Sequence, residues 1–152
     1  MPAMTRLMRP MCGPLGMIGI GLVLSTTILS VHAAQQVAGP LPVLETQIGG
    51  ATLYAARFDG RKTASGVIFE TDKAMAAHRT YPFGTVVRVT YLRNGRSVTV
   101  VIVDRGPYGK NHRKGAIIDL SPAAAKRLGM VRVGQARVKL EVLAWGKGEY
   151  LN

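Results

Sequence analysis

Cysteine is nearly missing. Cys12 is the only one in 152 residues, and it sits at the start of a long uncharged run. One thiol cannot form an internal disulfide, so stapling is excluded. Acids are scarce too: eight Asp and Glu stand against 20 Lys and Arg. Beyond the first 33 residues the histidines are His78 and His112, with no H-x-x-x-H or H-x-x-E spacing, so neither a metal site nor a cofactor is expected. There is no phosphate-cradling glycine loop, no G-x-S-x-G elbow, no internal repeat and no low-complexity segment.

What is present begins with an export pattern. Arg6 and Arg9 precede an uncharged run from Met11 to Val31 that ends in S-V-H-A-A. A basic start, an apolar middle and small residues at a cut site make a cleavable signal peptide over 1–33. An uncleaved anchor is the competing reading, and the glycines within the run count against it. Cys12 lacks the small-residue context of a lipid-modified cysteine, so a lipoprotein is not expected. Periplasmic or secreted localisation follows, with no thiol in the mature chain. Cleavage leaves 119 residues, enough for one core, and lowers the net charge from +12 to +10. In an exported protein this charge argues against nucleic acid. The polyanions it would meet are wall carboxylates, wall-linked phosphates and anionic lipid head groups, unless it is merely a solvated basic surface. A monomer is expected.

Residues 34–50, with Gly39, Pro40, Pro42, Gly49 and Gly50, read as a flexible leader. The domain is expected over 51–146, followed by a tail at 147–152. A first strand falls in A-T-L-Y-A-A-R-F. From Val87, Val87, Val89 and Tyr91 alternate with Arg88 and Thr90; Asn94-Gly95 then turns the chain into Ser97–Val103. Another alternating strand covers A-R-V-K-L-E-V-L-A-W. Ser121, Pro122 and Gly129 bracket a short helix, and D-K-A-M-A-A-H-R reads as a second helical turn. Several short strands with one or two short helices imply a small, mainly β barrel.

Asp104 ends the most apolar strand, and two explanations stay open. Partial burial would raise its pKa and let it donate a proton near neutral pH. Alternatively, it accepts N–H bonds from the following R-G-P turn or pairs with an arginine. His78 alone reads as a structural hydrogen-bonder, and Asp119, just before a capped helix, as structural too.

The runs G-R-K-T-A-S-G, A-A-H-R-T-Y-P-F-G-T, V-I-V-D-R-G-P-Y-G and I-I-D-L-S-P-A-A-A-K-R-L-G-M, in this order, resemble the rare lipoprotein A family of double-psi β-barrel proteins. The resemblance covers about residues 51–143. It implies a six-stranded double-psi β-barrel and an endolytic lytic transglycosylase. Such an enzyme cleaves MurNAc–GlcNAc bonds of stem-stripped peptidoglycan strands and leaves 1,6-anhydro ends. It further implies Asp104 as general acid and His78 as a cleft residue that orients acid or substrate. Tyr54, Thr63, Arg105 and Tyr108 are implied as substrate-binding residues. Three departures stand out. Val67 occupies the place of a family glutamate, which favours the alternative of an expansin-like module that binds glycan without cutting it. Leu53-Tyr54-Ala55 replaces a W-Y-G start. The link from Asp104 to Asp119 looks about four residues longer than usual and is basic.

Overall fold

The computed structural model describes residues 41–149. The signal peptide read at 1–33 and the last three residues of the tail lie outside the described residues. Six strands close into a double-psi barrel: β1 (Glu45–Leu53), β2 (Met75–His78), β3 (Val86–Tyr91), β4 (Ser97–Asp104), β5 (Ala116–Leu120) and β6 (Ala136–Ala144). Around the barrel they run β1-β5-β2-β4-β3-β6. The β1–β5 and β2–β4 pairs are parallel, and the remaining pairs are antiparallel.

The alternation read in β3 and β6 is the barrel's inside–outside pattern. Val87, Val89, Val138, Leu140 and Val142 are fully buried. Outward-facing Arg88 and Glu141 are register partners and form an ion pair at 2.9 Å. β3 and β4 join through a four-residue turn closed by Tyr91 N–H to the Arg96 carbonyl at 2.8 Å, with Asn94 and Gly95 inside it. Among the described residues are two short α-helices, α1 (Gly109–Arg113) and α2 (Pro122–Leu128), and a single 3-10 turn at Ala56–Phe58. As the sequence implies, Ser121 caps α2, accepting from Ala124 N at 3.3 Å, and Gly129 ends it.

Two local expectations are corrected. The segment read as a helical turn, D-K-A-M-A-A-H-R, contains strand β2, buried at all four positions. Alanine is the best helix former, but intrinsic propensity is a weak determinant, and pairing on both sides with β4 and β5 overrides it. The leader was expected to run to residue 50, but β1 begins at Glu45. Gly49 and Gly50, read as loop signals, serve close packing instead. A Cβ on Gly49 would lie 2.7 Å from the Ile117 side chain, and one on Gly50 would lie 2.0 Å from that of Gln135. The second helix lies in the basic link, at α1.

Candidate active site

The barrel's register sets Thr52, Asp119, Ala77 and Asp104 in one lateral row. Thr52 of β1 pairs with Asp119 of β5, Asp119 with Ala77 of β2, and Ala77 with Asp104 of β4. Adjacent strands are about 4.8 Å apart, so two carboxylates two strands apart flank the smallest chiral side chain, roughly 10 Å from each other at the backbone. Gly106 lies over the gap with φ +155. A Cβ there would come within 3.1 Å of Asp119 Oδ2 and 3.6 Å of the Ala77 Cβ.

Beside this row opens a cleft of about 270 Å³, lined by residues that include Tyr54, Arg57, Phe58, Arg105, Tyr108 and Asp119. Asp119 therefore has direct access to it. Thr52 Oγ1 donates to Asp119 Oδ1, and Oδ2 has no protein hydrogen bond among the described residues. Burial raises the Asp119 pKa, the Thr52 bond opposes that rise, and the nearby Asp104 charge adds to it. Asp104 sits differently. It is not among the residues lining the cleft, and three donors converge on it: Tyr54 O–H at 2.5 Å, Ala64 N–H at 2.8 Å and Arg105 N–H at 2.8 Å. An ionised carboxylate is acceptor-only, and every partner here is a donor.

The residues around Asp104 explain its rigidity. Tyr54 is held against Phe69 and Phe58, with ring centroids 4.2 and 5.5 Å away. Burial, then the bond to Asp104, raises its phenol pKa, so its proton stays on. Thr63 is buried, and its hydroxyl donates to the Val67 carbonyl at 2.8 Å. It shapes the 63–67 turn that presents Ala64 N–H to Asp104; it does not line the cleft. Arg105 does line the cleft, but its Nη1 donates to the Tyr81 carbonyl at 2.9 Å and the His78 carbonyl at 3.3 Å. Its guanidinium stacks 3.7 Å from the Phe83 ring centroid. That side chain ties the R-G-P turn to the barrel. Tyr108 is 60% exposed, an open ring on the cleft wall with Arg79 5.9 Å from its centroid.

His78 does not join the acids. Successive strand residues face opposite ways, so it points away from the side of Ala77. It lines a separate depression with Gln47, Arg79 and His112. Its Nδ1 accepts from Tyr81 N–H at 3.1 Å, Nε2 lies 3.3 Å from Gln47 Oε1, and its ring stacks on Tyr81 at 3.7 Å. Burial, then the Arg105 and Arg79 charges, lowers its pKa to about 4. An imidazole held neutral, with a partner at each nitrogen, leaves no free ring position to offer a substrate. Val67 is half-buried and packs against the outer apolar cluster of Phe69, Met75 and Val103.

Sequence reasoning passed over Asp119, which it assigned to the approach to a helix. The available signal was alternation: Asp119 lies between Ile118 and Leu120, both buried in the barrel core, so it must face outward.

Fold and site define a small double-psi barrel bearing an acidic row under an aromatic-walled surface cleft. Residues 46–140 match the family described as "Lytic transglycolase", and the chain belongs to that family. It is 50% identical over 98 residues to the "Probable endolytic peptidoglycan transglycosylase RlpA" of Aquifex aeolicus, covering 64% of this chain and 42% of that protein. It is 46% identical over 102 residues to the "Endolytic peptidoglycan transglycosylase RlpA" of Neisseria meningitidis, covering 67% and 41%. The chain thus spans less than half the length of these two relatives. Among solved structures, the Streptomyces papain inhibitor aligns over 69% of this chain and all of its own, with TM-score 0.53 and 24% identity. An expansin from Clavibacter michiganensis aligns over 66% and 51%, with TM-score 0.52 and 22% identity. These two likenesses show the fold alone.

Proposed function

We propose that this chain is an exported endolytic lytic transglycosylase that cuts MurNAc–GlcNAc bonds of stem-stripped peptidoglycan and leaves 1,6-anhydro ends. The observation that carries the reading is the unlike environment of the two acids. Asp119 is pushed toward its protonated form and opens on the cleft, whereas Asp104 is surrounded by donors behind Tyr54. A carboxyl whose burial favours the protonated form, open to the substrate's space, is what acid-catalysed glycoside cleavage uses.

In this mechanism Asp119 gives its proton to the glycosidic oxygen as the C1–O bond breaks. Positive charge develops at C1, and the Asp104 carboxylate stabilises it from behind Tyr54. The sugar's own C6 hydroxyl then attacks C1 and returns its proton to Asp119, so no activated water is needed. Asp104 is a positioning residue: it raises the proton affinity of Asp119 and anchors Tyr54. This reassigns the acid from Asp104, the residue implied by family resemblance, to its neighbour across Ala77. The names of the curated relatives support cutting over mere gripping.

The test is incubation with amidase-stripped glycan and mass spectrometry of the products. Anhydro ends from the parent, and their loss in a folded Asp119→Asn protein, are expected. Asp104→Asn should slow the reaction less and move the basic limb of the pH–rate profile to lower pH. Complete loss with Asp104→Asn alone, with Asp119→Asn still active, would return the acid's role to Asp104.

A further inference from the structure

The rim of the cleft carries one arrangement twice. On one wall, Phe58 has two guanidiniums over its ring, Arg57 at 4.9 Å and Arg61 at 5.7 Å from the centroid. On the other, Arg79 lies 5.9 Å from the Tyr108 centroid, with its Nη1 donating to His112 Nε2 at 2.5 Å. Arg57, Phe58 and Tyr108 line the cleft, and Arg79 reaches Tyr108 from the neighbouring depression it shares with His78 and His112. All three arginines are exposed, and the ion pairs among the described residues, Lys73–Glu70, Arg88–Glu141 and Lys139–Glu141, include none of them.

A ring beside an arginine offers a sugar two things. The ring takes the C–H face of a pyranose, and the planar guanidinium fork matches a carboxylate on that sugar. A neutral glycan would need only the ring. An anionic glycan brings a charge that cations on the rim can meet. We propose that the two arginine–aromatic pairs, Arg57 with Phe58 and Arg79 with Tyr108, are carboxylate-reading subsites that select glycan carrying free carboxyl groups beside the cut bond. In peptidoglycan that group is the lactyl carboxyl of muramic acid, which is free only where the stem peptide has been removed. The inference deepens the function proposed above and rests on it, giving the preference for stripped strands a physical origin in charge rather than in bulk.

The experiment separates charge from bulk. Amidase-stripped strands are divided, and one half is converted to lactyl methylamides, which are neutral but small. Binding to both is measured by co-sedimentation with the full chain carrying Asp119→Asn, and cleavage of both with the parent. Two exposed charge-assisted contacts predict binding roughly tenfold weaker for the methylamide. Arg57→Gln with Arg79→Gln should bring the acid-to-amide ratio close to one. Arg57→Lys with Arg79→Lys keeps the charges but loses the forks and should retain part of the preference, with thermal melts verifying each fold. Equal binding of acid and amide, or a ratio that survives in the double Gln protein, overturns the proposal. A carboxylate preference without any anhydro product from the parent supports the subsites and overturns the transglycosylase reading. Failure to bind either strand overturns both.

Discussion

Asp119 and His78 lie one rung apart on the ladder between β5 and β2, since Asp119 pairs with Ala77 and His78 with Ile118. Both are withdrawn from water, and in each burial is the main cause of a pKa shift toward the uncharged form. Their surroundings separate them. One oxygen of Asp119 is bonded by Thr52 and the other is left toward a cleft. Both ring nitrogens of His78 have partners, and its face is covered by Tyr81. A perturbed titratable group is thus a poor marker of chemistry by itself. What distinguishes the two is an unused hydrogen-bonding position facing a space that a substrate can enter.

Exchanging each group for its neutral isostere gives the largest contrast. Asp119→Asn should lower the rate of anhydro-product formation by on the order of 10²–10⁴-fold, the usual loss when a positioned acid is removed. His78→Gln should alter that rate by no more than a few-fold once the folded fraction is equalised by melts. A deep loss of rate in a fully folded His78→Gln protein would break the comparison and return the histidine to the mechanism.

Stability against pH should run in opposite directions for the two. The unfolded chain protonates His78 near 6.5, and the folded chain only near 4. Its contribution is therefore full above about 6.5 and is lost as pH falls toward 4, by on the order of 3 kcal/mol. The Asp119 pKa is raised, so its contribution is present in acid and is lost as pH rises through the raised value. Melts from pH 4 to 8 should show that His78→Gln flattens the acid side. Asp119→Asn should raise the melting temperature at neutral pH and lose that advantage in acid. Parallel curves for parent and both variants would show that neither group is perturbed as described.

The same contrast explains what could be read from the sequence. Strands β3 and β6 and helix α2 are legible because their signals are local: alternation, and a Ser-Pro start with a Gly stop. Asp104 draws attention because an acid follows an apolar strand. The row Thr52–Asp119–Ala77–Asp104 has no local signal, because it is created by the register of four strands, two of them reached by crossovers. His78 reads locally as a structural hydrogen-bonder, and only the family resemblance implies a cleft role; its contacts with Tyr81 and Gln47 agree with the local reading. Gly49 and Gly50 misled because close packing and loop flexibility select the same residue.

Val67 tests whether the acid row is complete. Its side chain packs with the outer apolar cluster and does not line the cleft. Val67→Glu should therefore cost roughly 1–3 kcal/mol of stability, the usual penalty for a poorly partnered polar group in a packed site. It should give no gain in rate, despite restoring the family carboxylate. Melts and product release for Val67→Glu and Val67→Gln decide the matter. Faster cleavage with Glu but not Gln would show that a third charge belongs to the site and that the departure at residue 67 weakens this protein.

The smallest effect should come from the outer face of the basic link. Lys110, Arg113 and Lys114 are exposed on and just after α1, and none of them lines the acid-bearing cleft. They act on a wall polyanion through the field they add, which is screened beyond about 8 Å at physiological ionic strength. Converting all three to Gln should weaken binding to intact sacculi a few-fold at low salt and negligibly at high salt. The rate on short stripped strands should hardly change, because a fragment already in the cleft meets the rim arginines and Asp119 directly. Sedimentation binding at two salt concentrations, paired with product release from short strands, measures both. A loss of rate on short strands equal to the loss of binding would place α1 inside the substrate path, so that the cleft extends across the link.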